Sequence, residues 1–188
     1  MNFKEYKKII ETTPETSGFE YKLAVIMLHP ERLPLAVASL NNCTDKIIKV
    51  PETVENRYGN SVPVTAIATN AFKGNTTVTD IILGSNIERI GAGTFAGCTS
   101  LERITIPKKV SMIPLGTFEG CTSLSDIYYE GTPEEWDKIE KYTEKREVEY
   151  GNLIPCSPVM EIVEERLIRL HGNEALSLAN IHFNCKIS

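Results

Sequence analysis

The sequence predicts a β-rich α/β fold: a right-handed solenoid of about four to five short coils, with a helix and hairpin before it and a helical segment after it. The first observation behind this prediction is a repeat. Residues 76–98 and 99–121 carry apolar residues in the same phase, with a period of 23 residues. The second is the spacing inside each repeat, where Ile104 and Ile106 lie two residues apart, the period of a β-strand. The third is a glycine-containing turn followed by a phenylalanine, which is expected to fill the far side of the coil.

The repeat also predicts how the coils stack. A period of 23 residues lies within the range of roughly 20 to 29 that leucine-rich repeats use. The matched apolar positions are Val78/Leu101, Ile81/Ile104, Leu83/Ile106, Ile87/Val110, Ile90/Ile113, Phe95/Phe118 and Cys98/Cys121. Coils stacked about 4.8 Å apart pair their strands and bury their flat sides, so equivalent side chains should form columns through the core. Cys98 and Cys121 are therefore expected to be buried, reduced thiols.

The repeat divides the chain into three parts. These are an N-terminal helix and hairpin cap (1–43), the leucine-rich-repeat coils (44–131) and a C-terminal cap (132–188). In the first part, Phe3, Tyr6 and Ile10 fall on one side of a helix.

The C-terminal part is predicted to contain two helices and one strand. Thr132-Pro133 is a helix start with a glutamate three residues after the cap. An amphipathic helix at about 157–171 is inserted before a final strand at 178–183, which matches the strand part of the repeat at 101–106. The inserted helix is expected to pack on the flank of the solenoid, and docking of a partner is the alternative.

Composition and charge argue against several classes of partner. The net charge of −5 and the lack of long Lys/Arg clusters argue against nucleic acid and anionic membranes. No stretch approaches the roughly 18 apolar residues of a membrane span. The charged first residues lack a signal-peptide core, so a cytoplasmic location is expected. Five cysteines without a CxxC spacing and three scattered histidines predict neither a metal nor another cofactor.

One motif suggests a family. The pattern I-G-x-x-x-F-x-G-C-x-x-L-x-x-I-x-I-P, which runs from Ile90 to Pro107, resembles the BspA-type leucine-rich-repeat family of bacteria. The resemblance covers roughly residues 17–140 and resumes at 173–185. Members of that family are mostly surface or secreted adhesins that bind host proteins or other cells. The resemblance therefore implies binding and a surface or secreted location, and it supplies no catalytic residues.

The exposed face of the strand column is the candidate partner-binding surface. Two outward rows lie between the inward residues: Ile47, Asp80, Arg103, Asp126 and Asn180 in one, and Lys49, Ile82, Thr105, Tyr128 and His182 in the other. Solenoids commonly bind partners on such a flat parallel sheet with mixed polar and aromatic side chains. We therefore expect a protein-binding or scaffolding module, with self-association also open. The alternative is a carbohydrate-binding module in which Tyr128 and His182 stack on sugar.

Two patterns that suggest catalysis or cofactor binding have simpler explanations. Gly91–Ala96 fits the relaxed dinucleotide fingerprint G-x-G-x-x-A, but the same turn recurs with other residues in the neighbouring repeats. Asp80 and Asp126 should lie about 10 Å apart, near the separation in an inverting glycosidase. Arg103 lies between them, however, and a neighbouring cation favours both ionised carboxylates.

The insertion offers one further route to catalysis. A hydrolase could use Cys156 and His171, but neither has an acidic or oxyanion-stabilising partner in the sequence. The chain is therefore predicted not to be an enzyme.

Overall fold

In the computed structural model, the described residues are 2–21, 44–55, 59–141 and 173–186, together with the backbone of 22–23 and 35–40. The helices are α1 (Phe3–Thr12), α2 (Pro133–Asp137) and α3 (Glu174–Leu178). The strands are β1 (Phe19–Leu23), β2 (Leu35–Leu40), β3 (Ile47–Lys49), β4 (Thr53–Glu55), β5 (Ser61–Ile67), β6 (Asp80–Ile82), β7 (Arg89–Ile90), β8 (Arg103–Ile106), β9 (Met112–Ile113), β10 (Asp126–Tyr129), β11 (Glu140–Lys141) and β12 (Asn180–His182).

The main sheet has five strands in the order β12-β10-β8-β6-β3, and every pair is parallel. Ile104 pairs with Ile81 on one side and with Ile127 on the other. This register confirms that the apolar phase of the sequence sets the pairing. The other side of the molecule holds the β1-β2-β5-β4 sheet, with β7 paired to β5, and the short β9-β11 pair.

The core between these sheets is a set of side-chain columns. The Phe95 ring stacks on Phe72 at 5.7 Å and on Phe118 at 5.3 Å, measured between ring centroids. Cys98 and Cys121 are buried and reduced, as expected. Each thiol donates to a carbonyl of the preceding coil at 3.1 Å. The turns stack as well, because the Phe95 N–H donates to the Thr117 carbonyl at 3.0 Å.

The C-terminal residues differ in part from the expectation. α2 begins at Pro133 with a complete capping box between Thr132 and Glu135. The final strand is shorter than the expected 178–183, because residues 174–178 form α3. Leu178 is therefore 84% exposed, and Leu176 of the same helix takes the buried place. The predicted helix at 157–171, with Cys156 and His171, lies outside the described residues.

Candidate partner-binding surface

The two predicted rows run in register across the main sheet. The first is Ile47, Asp80, Arg103, Asp126 and Asn180, and the second is Lys49, Ile82, Thr105, Tyr128 and His182, each residue paired with the next. The expectation that these residues align in rows is therefore confirmed. Their alignment follows from the strand pairing, since all five strands are parallel.

The expectation that this face is open to solvent is wrong, because α1 lies across it. The Tyr6 ring stacks on the Tyr128 ring with centroids 4.2 Å apart, and Phe3 packs against the same ring at 5.7 Å. Ile10 is buried in the same apolar cluster as Ile82. The amphipathic stripe of α1 needs an apolar surface, and it uses the outward face of the sheet.

Burial under α1 is deep in the middle of the face and shallow at its two edges. Ile82, Thr105, Tyr128 and Asp80 are no more than 1% exposed. Lys49 and His182 are half-buried, and Asn180 is exposed. Arg103 and Asp126 are also half-buried, so solvent reaches both edges of the face and part of its first row while α1 is in place.

A charged pair lies under the middle of α1. Asp80 accepts hydrogen bonds from Arg103 Nε at 2.5 Å and Arg103 Nη2 at 2.9 Å, and from the Thr79 hydroxyl at 2.7 Å. These bonds to Asp80 raise the pKa of the Arg103 guanidinium. The guanidinium also lies 5.9 Å from the Tyr6 ring centroid, within cation–π range. The pair is a bidentate ion pair that the sheet completes from its own strands.

The hydroxyl of Tyr6 is not fully satisfied in its hydrogen bonding. Its hydroxyl is buried and has no hydrogen-bond partner among the residues that the structure describes. Burial, together with the charge of nearby Asp80, raises the pKa of this hydroxyl. A buried donor without a partner costs up to about 1–3 kcal/mol, and the Asp80 carboxylate near this hydroxyl offsets part of that cost.

Tyr128 is held between two rings. His182 stacks on it at 4.6 Å and Tyr6 at 4.2 Å. Two rings stacked this closely on a third must lie on its opposite faces. The expected stacking of sugar on Tyr128 is therefore wrong for this conformation, because both faces of the ring are occupied.

Asp126 is paired with a neighbouring strand. Its Oδ1 lies 2.7 Å from Nε2 of His182, and its Oδ2 accepts from the Ser125 hydroxyl at 2.8 Å. Burial acts to raise the pKa of Asp126, but the hydrogen bonds from His182 and Ser125 outweigh it and hold that pKa below its ordinary value. An ionised Asp126 cannot serve as a general acid, and Asp80 is held in its ion pair with Arg103, so neither carboxyl is placed to donate the proton that a glycosidase needs.

Lys49 holds the other end of α1. Its Nζ donates to the carbonyls of Ile10 (3.1 Å) and Thr13 (3.4 Å), where a cation stabilises the C-terminus of a helix. After the helix, Thr16 is hydrogen-bonded to the backbone of Lys49 in both directions. The ten residues of α1 are about 15 Å long. Three strand spacings, from β10 to β3, are about 14 Å, so α1 spans four strands.

The glycine fingerprint at 91–96 belongs to a turn between coils. Gly91 donates its N–H to the Ile67 carbonyl at 2.9 Å, and a Cβ on Gly91 would collide with the backbone of Thr69. Glycine is therefore required for packing at this turn.

Among the described residues, no three His, Cys, Asp or Glu side chains gather into a metal site. Searched over the same residues, the chain has no helix long and apolar enough to cross a membrane.

Comparison with known proteins shows which repeat family the chain resembles. A family model described as "BspA type Leucine rich repeat region" matches residues 41–144 with 6 copies, a range that excludes α1. A leucine-rich-repeat protein of T. pallidum is similar in structure, with 26% identity, a TM-score of 0.52, and coverage of 62% of this chain and 53% of that one. One from Bacteroides capillosus has 21% identity and a TM-score of 0.50, covering 62% and 81%. No curated protein matches. The chain thus spans about half the length of the T. pallidum protein.

Proposed function

The chain belongs to the BspA-type leucine-rich-repeat family, and from this premise we propose that it is a non-catalytic module that binds a protein through the outward face of its main sheet. The observation that carries the proposal is that this face already holds a polypeptide segment, α1, by ring stacking, a cation–π contact and charged hydrogen bonds. A solenoid of about four to five coils with a 23-residue period would present such a face as one flat strip.

The chemistry of the face suits a protein more than a glycan. Its edges offer Lys49, Asn180 and His182 to solvent, and between them Ile82 and Tyr128 lie beside the Asp80–Arg103 ion pair. Aromatic anchors within a polar rim are typical of protein interfaces. While α1 is docked, both faces of the Tyr128 ring are occupied, and no observation favours the carbohydrate alternative.

Site-specific photo-crosslinking tests this proposal. A benzophenone side chain replaces Asn180, at the edge of the face, and in a matched variant it replaces Lys73, which is also exposed and lies in a turn. We expect a discrete protein adduct from position 180 alone. Adducts from position 73 only would indicate that the partner binds another surface and would contradict the proposal. Glycan binding without any protein adduct would support the carbohydrate-binding alternative instead.

A further inference from the structure

α1 forms a layer separate from the solenoid core. The main core cluster contains no residue of α1 among the described side chains. Tyr6 and Ile10 instead form a second cluster with Ile82, Tyr128 and Cys185, on the outer side of the sheet. Because strand side chains alternate between the two faces, removal of α1 uncovers this second cluster and leaves the core columns packed.

The face beneath α1 is not built like a core. Only Ile47, Ile82 and Tyr128 of its two rows are apolar. Its buried polar groups are satisfied from within the sheet, since Arg103 pairs with Asp80 and Thr105 accepts from the Leu83 N–H at 2.8 Å. Such a face tolerates exposure to water, because no buried donor or acceptor in these pairs depends on α1.

α1 fits this face with one defect. The Tyr6 hydroxyl is buried without a hydrogen-bond partner in the described part of the chain. A phenylalanine at that position would keep the ring stack on Tyr128 and avoid the unsatisfied donor. A helix with phenylalanine at this position would therefore avoid the cost that the Tyr6 hydroxyl brings.

We infer that the outward face of the main sheet is a docking site for an amphipathic helix of another protein, which takes the place of α1. This inference rests on the proposed protein-binding function and names the kind of partner. The partner helix has at least three turns, with aromatic residues three positions apart and an aliphatic residue four positions further on, like Phe3, Tyr6 and Ile10. Its C-terminal carbonyls lie at Lys49, and a phenylalanine is preferred at the Tyr6 position.

The attachment of α1 is suited to exchange. The segment after the helix is fixed to β3 through Thr16, which bonds the Lys49 backbone. The residues between Thr13 and Thr16 have no regular secondary structure. α1 can leave the face by rotation about these residues, while the sheet and the pairing at Thr16 stay in place.

A peptide-binding experiment on the full chain tests the inference. The variant Ile10→Asp places a charge in the buried interface of α1, and Lys8→Asp places the same charge on the exposed side of the helix. The probe is a labelled peptide of residues 1–13 with Phe at position 6. A docked α1 lowers the fraction of chains whose sheet face is free to bind the peptide. We therefore expect the peptide to bind Ile10→Asp at least about tenfold more tightly than it binds wild type or Lys8→Asp. Adding Lys49→Met to Ile10→Asp should weaken binding.

The outcomes separate this inference from the proposed function. Equal peptide affinity for all three chains, or no binding to an Ile10→Asp chain whose β8 amides stay protected, overturns the inference. If Ile10→Asp does not fold, Tyr6→Ala serves in its place. A wild-type dimer that the peptide dissociates would make a second copy the occupant and overturn the assignment to another protein. A cellular partner that crosslinks at position 180 but is not displaced by the peptide keeps the function and overturns the inference. If no cellular protein forms an adduct at position 180, the proposed function fails, and the inference that rests on it fails as well, whether or not the peptide binds.

Discussion

Two identical substitutions on opposite sides of the main sheet should have different consequences. Ile10 lies in the α1 cluster and is 2% exposed, and Ile104 lies in the core columns and is 0% exposed. Replacement of either by alanine removes the same buried atoms and costs about 2–5 kcal/mol. Because the clusters are separate, the cost at Ile10 falls on the docking of α1, and the cost at Ile104 falls on unfolding of the solenoid.

Hydrogen exchange and denaturant unfolding distinguish these costs. Ile104→Ala should lower the free energy of global unfolding by the whole cost of about 2–5 kcal/mol. Ile10→Ala should accelerate exchange of the α1 amides by roughly thirty-fold or more, up to the rate of a free helix, and leave β8 almost unchanged. Lys8→Ala, on the exposed side of α1, is the control. If Ile10→Ala accelerates exchange in β8 as much as in α1, the two layers unfold as one unit and the reasoning is refuted.

Three further predictions follow from single side chains. Tyr6→Phe should strengthen α1 docking by up to about 1–3 kcal/mol, seen as slower exchange of its amides; faster exchange would show that the hydroxyl has a partner. The pKa of Asp126 is lowered in the folded chain, so its pairing with His182 stabilises the fold fully above about pH 4 and less as the pH falls through the folded value. Asp126→Asn should flatten the melting-temperature profile there, and an unchanged slope would contradict the pairing. Burial raises the pKa of Cys98 to about 11 and of Cys121 to about 12, so iodoacetamide at pH 8 should alkylate both slowly until the chain unfolds; rapid alkylation of the native chain would show accessible thiols.

The register of the sheet was predictable because the repeat encodes it. Positions 23 residues apart, such as Asp80 and Arg103, become neighbours when equivalent strands pair. The Phe95–Phe118 stack and the buried thiols follow from the same translation. Local sequence also predicted the start of α2, because the Thr132–Glu135 capping box is complete within four residues.

The location of α1 was not predictable from its own sequence. A stripe of Phe3, Tyr6 and Ile10 shows that the helix needs an apolar surface, and it does not say which one. The signal lay in the sheet, since Ile82 and Tyr128 are large apolar residues in rows that were assigned to solvent. The prediction that the final strand begins at Leu178 was wrong for a related reason. The match of Leu178 to Leu101 ignored the local helix, which places Leu176 in the core instead.

The agreement between the length of α1 and the width of four strands restricts how such a protein can grow. Duplication of one coil would widen the sheet by about 4.8 Å, the rise of roughly three helical residues. A longer solenoid with an unchanged helix would leave one strand of the face uncovered, and a shorter one would leave a helical turn without a surface. Repeat number and helix length should therefore change together during evolution, unless natural selection favours a permanently open face.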